Sequence, residues 1–266
     1  MGFTDGRRIA GLYLAEVLRS ERVTPHMMRV TFGGDDLRRL PARGYDQWFR
    51  LFLPNPEGET DFGAVPEAFG IGGYLKYLRT KSGVRPPYRN YTVRALRSEA
   101  GELDVDFVAH GEAGIAGPWA QRAVAGEQVA IIDQGRGFDP VDDADFVLLA
   151  GDESALPALV GILGDLPRDA RGLAIVEIPE AADAQPVDAP VGVELRWITR
   201  ADPHDRPGVL ALEELRSFTP ARAETLHAYL AGEQALVAEG RRHLVAAGVP
   251  KPRIVFTGYW KVGRAG

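Results

Sequence analysis

The spacing of hydrophobic residues changes near residue 140, and this change limits the fold of the chain more than any other sequence feature. Before it, apolar and polar residues alternate over short segments such as Glu102 to His110, a pattern typical of half-buried antiparallel strands. After it, apolar runs such as Asp145 to Ala150 alternate with helical patterns such as Ala155 to Leu163, which is typical of a parallel sheet with crossover helices. We therefore predict an antiparallel β-barrel in residues 1–142 and a parallel α/β domain in residues 143–266.

Within the first domain, we predict two antiparallel strands between Leu12 and Phe32 that are joined around Ser20 to Arg22. A long glycine- and proline-rich excursion follows, and inside it Gly73 to Arg79 is predicted to form a short helix. The alternating segment Glu102 to His110 is expected to form a hairpin with a central strand at residues 89–94.

The central strand, Arg89-Asn90-Tyr91-Thr92-Val93-Arg94, is the first candidate for a ligand site. Because side chains alternate along a strand, Arg89 and Tyr91 fall on one face and Thr92 on the other. A guanidinium binds phosphate bidentately, a phenol ring packs against a flat heterocycle, and a threonine hydroxyl can hydrogen-bond its edge. This combination suits a flavin nucleotide. The alternative for such a short segment alone is an ordinary barrel strand with solvated arginines.

The composition excludes several kinds of chemistry. The chain has no cysteine, so disulfides, thiolate metal sites, cysteine-ligated iron–sulfur clusters and a cysteine nucleophile are ruled out. A formal net charge of -6 argues against nucleic-acid binding, which needs a basic excess. There is no run of about 18 apolar residues and no apolar segment after the N-terminal residues 1–8, so we expect a cytoplasmic protein without membrane insertion.

A glycine-rich loop follows the strand that ends at His110 and leads into a helix predicted to start near Pro118. Glycines let a ligand approach the backbone closely, and a helix N-terminus presents free N–H groups and a positive dipole end to a pyrophosphate. Taken alone, such a loop is usually only a turn. His110 has the alternative role of a strand-end histidine that is hydrogen-bonded to the backbone.

Two similar strand–loop–helix units occur in the second domain. Residues Leu149 to Glu153 and Leu230 to Glu233 each end a predicted strand in the sequence Leu-Ala-Gly followed by an acid. In open α/β sheets, ligands bind beyond the carboxyl ends of the strands, where these loops lie. Glu153 has the alternative role of an ordinary acid in the first turn of a helix.

The C-terminal segment Gly258-Tyr259-Trp260-Lys261-Val262-Gly263-Arg264 combines two large aromatic residues with two cations, which is unusual for a chain terminus. Together with Arg-x-Tyr-Thr-x-Arg at residues 89–94 and the glycine loop at residues 110–120, it resembles the motifs of siderophore-interacting proteins, the FAD-containing ferric-siderophore reductases. The resemblance extends from about Val17 to Arg264. The chain departs from the family pattern where Pro118 runs directly into Trp119.

The resemblance implies a flavin-binding β-barrel followed by a ferredoxin-reductase-like, nucleotide-binding α/β domain. It implies that FAD is bound by the central strand, by its partner strand and by the glycine loop, through Arg89, Tyr91, Thr92, Val93, Asp106, Val108, His110, Gly114, Ala116, Gly117, Trp119 and Ala120. The electron donor is expected near Gly151, Asp152, Glu153, Ser154, Gly232 and Glu233. The terminal motif is expected to face the flavin and to dock the substrate through Arg50, where the family often has a lysine, and through Tyr259, Trp260, Lys261 and Arg264.

The expected function is therefore that of a monomeric, FAD-dependent ferric-siderophore reductase. Electrons would pass from NADH, NADPH or a ferredoxin-like donor through FAD to the Fe(III) of an anionic ferric siderophore, which then releases Fe(II). The flavin carries the chemistry, so no catalytic side chain and no metal ligand is expected. Two alternatives remain open, namely a flavin reductase that acts on another acceptor and a siderophore-binding flavoprotein without turnover.

Overall fold

The computed structural model describes residues 11–56, 58–66, 71–81, 83–109 and 114–263. These residues form one antiparallel and one parallel sheet, which occur in this order along the chain. Of the expected site residues, His110 and Arg264 lie outside the described ranges. In the described ranges, none of the helices is both long and apolar enough to span a bilayer.

The first sheet has seven antiparallel strands in the order β4-β3-β7-β1-β2-β6-β5, as in an opened barrel. Its inward-facing residues and one short helix enclose a core that includes Phe32, Phe107 and Trp119. The elements of this part are β1 (Leu12–Thr24), β2 (Met27–Gly33), β3 (Trp48–Phe52), α1 (Ile71–Arg79), β4 (Tyr88–Thr92), β5 (Ala95–Arg97), β6 (Glu102–Val108), α2 (Ala116–Arg122) and β7 (Gln128–Asp133).

The second sheet has five parallel strands in the order β10-β9-β8-β11-β12. Apolar residues cover both of its faces, with α3 packed on one face and α4 and α5 on the other, as expected for parallel strands linked by crossover helices. The elements are β8 (Phe146–Gly151), α3 (Leu156–Asp165), β9 (Arg171–Ile178), β10 (Gly192–Thr199), α4 (Val209–Ser217), β11 (Leu226–Glu233), α5 (Gln234–Ala246) and β12 (Ile254–Trp260).

The turn between the first two strands differs from the prediction. The strand pair is present, but β1 continues through Ser20, which pairs with Val30, and the chain reverses after Thr24. Pro25 favours the reversal because it has no N–H to donate to the ladder. Asp183 of the second domain also holds this turn, since it accepts hydrogen bonds from the Thr24 hydroxyl and from the His26 backbone N–H.

The partner of the central strand also differs from the prediction. Strand β4 pairs with β3, with Tyr91 opposite Phe49, whereas β6 pairs with β2 and with the short β5. A single backbone bond, from Arg94 N–H to the Asp104 carbonyl at 3.0 Å, continues the contact toward β6. The chain leaves the ladder at Val93, so β4 is too short to form the expected hairpin with β6.

The two domains are held together at the β1–β2 turn by a polar cluster around Asp183. The oxygens of Asp183 accept four hydrogen bonds, from Thr24, from the His26 backbone and ring, and from the Glu180 backbone. Burial opposes the charge of Asp183, but these donors outweigh it and lower the pKa of its carboxyl group. Ligand atoms of His26, Glu180 and Asp183 lie within 4.8 Å of one another, as metal ligands would, but the hydrogen bonds already use the oxygens of Asp183. The cluster is best described as an interdomain contact.

Candidate functional site

Arg89 on β4 has a guanidinium that is available for an anionic ligand. It is half-buried and donates to the carbonyl oxygen of the neighbouring Tyr88 at 2.8 Å, and it makes no ion pair with a carboxylate within the described ranges. Most other half-buried arginines of the barrel are paired, for example Arg97 with Asp104 at 2.7 Å. Arg89 therefore suits the phosphate of a nucleotide cofactor.

Tyr91 and Val93, on the same side of the strand as Arg89, pack against the barrel core. The Tyr91 ring meets the Phe107 ring at a centroid distance of 4.3 Å and remains partly exposed. Burial raises the pKa of the Tyr91 phenol, so the ring is neutral at working pH. A fixed, neutral aromatic surface beside a guanidinium that makes no ion pair within the described ranges suits a flavin nucleotide.

Asp106 on β6 lies beneath a second arginine of the central motif. Its buried carboxylate accepts from Arg29 at 2.7 and 2.9 Å and lies 3.3 Å from Nε of Arg94. Val108, at the end of the same strand, is half-buried. Asp106 thus orients two guanidinium groups rather than projecting freely toward a ligand. Arg94 is the site candidate missed by the sequence assignment, although it is the last residue of the motif that pointed to FAD.

The glycine loop leads into α2, whose side chains point inward. Ala116, Trp119 and Ala120 are buried, and the Trp119 ring stacks on Phe32 at 6.2 Å. The helix begins two residues before the predicted Pro118, which sits in its first turn, where a missing N–H costs little. These three side chains are therefore not available to a ligand, which leaves the backbone at the start of α2 as the part of the predicted site that can meet one.

Two glycines shape this loop. Gly114 has a φ of +84°, which disfavours other residues, and apart from its chain neighbours no atom of the described ranges lies within 4 Å of where its Cβ would be. A Cβ on Gly117 would lie 3.0 Å from the carbonyl oxygen of Val108, so this glycine lets α2 approach β6 closely. The indole N–H of buried Trp119 has no hydrogen-bond partner in the described structure. An open glycine backbone at Gly114 suits the close approach of a phosphate group, as the guanidinium of Arg89 does.

The two similar loops of the second domain meet at one edge of the parallel sheet. Strands β8 and β11 are neighbours, with Gly151 opposite Ala231. The fully buried Asp152 accepts from the backbone N–H of Ser154 at 2.9 Å and of Glu233 at 2.6 Å. Burial, and next the charge of Glu153, raise the pKa of Asp152 to about 7.

Gly232 and Glu233 complete this edge. Gly232 has a φ of +118°, and a Cβ there would lie 2.6 Å from an Asp152 oxygen, so only glycine leaves room for the carboxylate. The Glu233 side chain accepts from Ala235 N–H at 2.6 Å and caps α5, and it lies 3.3 Å from Arg206.

Glu153 is engaged inside the protein. Its two oxygens accept from Arg200 at 2.8 and 2.9 Å, and Glu177 lies 3.2 Å from the same guanidinium. All three side chains are buried. Asp152 and Glu153, which were expected near the electron donor, are therefore engaged within the edge of the sheet. Ser154, from the same predicted set, is half-buried and closer to solvent.

The C-terminal strand β12 lies between this edge of the parallel sheet and β4. The Trp260 indole N–H donates to Asp152 at 3.2 Å. The Tyr259 hydroxyl lies 2.9 Å from the Tyr229 hydroxyl. Burial raises the pKa of Tyr259 to about 12, and the Thr92 hydroxyl on β4 acts in the opposite direction. Residues from three motifs that were predicted separately, namely Thr92, Asp152 and the Tyr259–Trp260 pair, are thus brought close to one another.

Two of the cations expected to dock the substrate, Arg50 and Lys261, lie within the described ranges. Arg50 on β3 stacks its guanidinium 5.7 Å from the centre of the Tyr88 ring, and burial lowers the pKa of Arg50. Lys261 is exposed. It lines an open groove of about 410 Å³ between the tail and α5, together with Arg206, Glu233, Gln234, Ala235, Ala238, Glu239, Arg242 and Val262.

Comparison with known proteins gives consistent family matches over most of the chain. The siderophore-interacting FAD-binding domain matches residues 16–137, and the siderophore-interacting protein family matches residues 144–263. Ferric vibriobactin reductase ViuB of Vibrio cholerae is 33% identical over 253 residues, which are 94% of this chain and 90% of that protein. The NADPH-dependent ferric-chelate reductase of Escherichia coli is 27% identical over 250 residues, with coverage of 92% and 91%.

Solved structures agree with these matches. A siderophore utilization protein from T. fusca has a TM-score of 0.79 and 30% identity, and the match covers 96% of this chain and 95% of that one. The ferredoxin reductase in carbazole 1,9a-dioxygenase, at 16% identity and a TM-score of 0.66, shares the fold over 94% of this chain and 70% of its own. The predicted fold, a β-barrel followed by a ferredoxin-reductase-like α/β domain, is confirmed. The chain belongs to the siderophore-interacting protein family.

Proposed function

We propose that this protein is an FAD-dependent ferric-siderophore reductase. The observation that carries the proposal is the guanidinium of Arg89, which makes no ion pair within the described ranges, beside the fixed ring of Tyr91, with an open glycine backbone ahead of α2. FAD supplies the electron storage that a chain without cysteine has no thiol to provide. Arg89 and the start of α2 would hold the pyrophosphate, Tyr91 would support the ring system, and Arg94, held by Asp106, would add a second positive charge.

We further propose that the electron donor docks at the carboxyl edge of β8 and β11. Ligands of open α/β sheets bind there, and the E. coli relative is named for its use of NADPH. Ser154 and the backbone of the two glycine turns would meet the donor, because the side chains of Asp152 and Glu153 are occupied internally. NADH and a ferredoxin remain alternative donors to be compared in the same assay.

We also propose that the boundary between the barrel and the α/β domain lies near residue 142.

At the other end of the reaction, we propose that the ferric siderophore docks beside the C-terminal strand. The Tyr259 residue is 37% exposed although its hydroxyl is bonded inside. Lys261 next to it, Arg50 on β3 and Arg264 would attract an anionic chelate to a protein that is net acidic. Siderophores bind Fe(III) far better than Fe(II), so transfer of one electron releases the metal without breaking the chelator.

The test is FAD binding by an Arg89→Ala variant. Loss of one charge-assisted phosphate contact costs about 1.5–3 kcal/mol, so the affinity for FAD should fall roughly 10- to 150-fold while the protein stays folded. Arg79→Ala, a matched change on the exposed surface of α1, should bind FAD like the wild type. The absorbance of bound flavin after dilution and gel filtration reports the result. Stoichiometric flavin in the Arg89→Ala variant would overturn the assignment of this strand.

A further inference from the structure

Helix α1 turns apolar side chains toward solvent, which is the reverse of an ordinary surface helix. Tyr74 is 44% exposed, Leu75 is 49% exposed and Leu78 is 43% exposed. With about 100° of rotation per residue, these three side chains lie side by side over roughly a quarter of the helix circumference. Among the side chains of α1 that the structure describes, only that of Tyr77 is buried. The helix therefore presents an apolar stripe, formed by Tyr74, Leu75 and Leu78.

Tyr77 fixes this orientation of the helix. Its ring contacts that of Phe52 on β3 at a centroid distance of 5.9 Å, and its hydroxyl donates to the carbonyl oxygen of Pro86 at 2.8 Å. The guanidinium of Arg85 lies 5.3 Å from the centre of the Tyr77 ring and donates to the carbonyl oxygen of Leu78 at 3.3 Å. Tyr77 and Phe52 belong to a small apolar cluster that is separate from the main core of the barrel. The apolar stripe points away from the barrel because the opposite side of α1 is held against this cluster.

Cations flank the apolar stripe. Lys76 and Arg79 lie beyond Leu75 around the helix, and Lys81 follows two residues after the helix ends. All three side chains are exposed, and none of them makes an ion pair within the described ranges. From residue 68 to residue 98 the sequence contains no aspartate or glutamate, although the whole chain has a formal net charge of -6. The apolar stripe therefore lies in a positive region of an acidic protein.

The combination of apolar and positive side chains narrows the kind of partner that fits α1. A second copy of the chain in a symmetric dimer would place the same cations opposite one another, which is unfavourable. A stable protein interface buries about 800 Å² on each side and is depleted of lysine, so three apolar side chains flanked by lysines fit it poorly. A bilayer surface needs only an apolar stripe that reaches the acyl boundary and cations that meet anionic headgroups. Charge complementarity and the small apolar area thus favour a lipid surface.

We propose that α1 docks this protein on the surface of a bilayer that contains anionic lipid. The apolar stripe enters the boundary between headgroups and acyl chains, while Lys76, Arg79 and Lys81 pair with the anionic headgroups. The attachment is peripheral and reversible, because a helix of nine residues is too short to span a bilayer. This inference goes beyond the proposed function and does not depend on bound FAD.

The first test is co-sedimentation of the purified full chain with phosphatidylcholine vesicles, with and without about one-third phosphatidylglycerol. The wild type should bind only the anionic vesicles and should be released by high salt, which screens the cations. Lys76→Ala with Arg79→Ala should weaken binding up to about 25-fold, since each cation near an anionic surface contributes about fivefold. Arg168→Ala with Arg222→Ala is the matched control. It removes two exposed arginines from the second domain, changes the net charge equally and should bind nearly as the wild type does.

The second test removes the apolar contacts. Leu75→Gln with Leu78→Gln should weaken binding roughly tenfold or more, because a buried leucine contributes at least several-fold. Val209→Gln, at a residue of α4 that is 42% exposed, should bind as the wild type does. Circular dichroism reports whether each variant is folded, and the charge variant keeps the inference testable if the leucine variant misfolds.

Two results would overturn the inference. One is a wild-type protein that stays in solution with anionic vesicles at low salt, or that binds them equally well after the folded α1 variants are made. The other is α1-dependent retention on immobilised polyglutamate without vesicle binding, which would indicate an acidic protein as the partner. Neither result bears on the proposed function, which is tested by FAD binding.

Discussion

Replacement of Arg200 by methionine should destabilise the second domain strongly. The side chain of Arg200 is 2% exposed, and it pairs with two carboxylates, Glu153 at 9% exposure and Glu177 at 0%. Breaking a buried ion pair by removal of one partner costs about 3–5 kcal/mol, because an uncompensated charge is left in the protein. Here two carboxylates would be left, so the upper part of that range is expected. Glu177 would keep only its bonds from Gly208 and Ala211 N–H, both at 2.9 Å.

The assay is urea unfolding at pH 7, with Arg196→Met as the matched control. Arg196 also pairs with two glutamates, Glu194 at 2.7 Å and Glu214, but its side chain is 40% exposed. Exposed pairs contribute about 0–1 kcal/mol, so the control should unfold near the wild type. A loss below about 1 kcal/mol at pH 7 would refute the view that Glu153 is a structural acid.

Two further predictions concern capture of the substrate and dependence on pH. The double variant Lys261→Ala, Arg264→Ala should raise the KM for an anionic ferric siderophore several-fold and flatten the salt dependence of that KM. Each exposed contact contributes about 0.5–1 kcal/mol and is screened by salt. Steady-state kinetics identical to those of the wild type at low salt would count against this prediction. Burial, aided by Arg253, lowers the pKa of His227 to about 4, and its ring stacks on Phe138 at 4.7 Å. The unfolded chain therefore binds the proton more readily, and the free energy of unfolding should fall by up to about 3 kcal/mol as the pH drops from about 6.5 to about 4. His227→Leu should remove this pH dependence and the exposed His204→Ala should keep it; an equal slope in all three proteins would contradict the burial argument.

The order of elements was predictable from the sequence because each carries its own periodicity. Alternation around Glu102 to Val108 places apolar side chains on one face of a sheet and buried, ion-paired acids on the other. The apolar run at Phe146 to Gly151 reflects apolar packing on both faces, and both strands are present. The partner of β4 was not predictable, because a five-residue strand offers the same pattern to either neighbour. The reversal after Thr24 depends on Asp183, far away in the chain, which a local pattern cannot reveal.

The site was predictable as a set of motifs but not as a set of contacts. Arg89, Tyr91 and Thr92 could be singled out because their chemistry suits a flavin and their spacing follows a strand. The roles of Asp106 and Glu153 could not be read from the sequence, because a buried acid that holds an arginine has the same local pattern as an acid that meets a ligand. Tyr229 gave no signal, since its contact with the Tyr259 hydroxyl arises only when β11 and β12 pair in the folded sheet.

The central claim is that electrons held by FAD in this protein pass to the iron of a ferric siderophore. It is tested most directly by anaerobic mixing of the reduced, FAD-loaded protein with catecholate and hydroxamate ferric siderophores in the presence of a ferrous chelator, with flavin absorbance followed in time. We predict that the oxidised flavin spectrum returns at the rate at which trapped Fe(II) appears, with about two Fe(II) formed per flavin because each Fe(III) takes one electron. A flavin that stays reduced with every chelate and is reoxidised only when oxygen is admitted would contradict the claim.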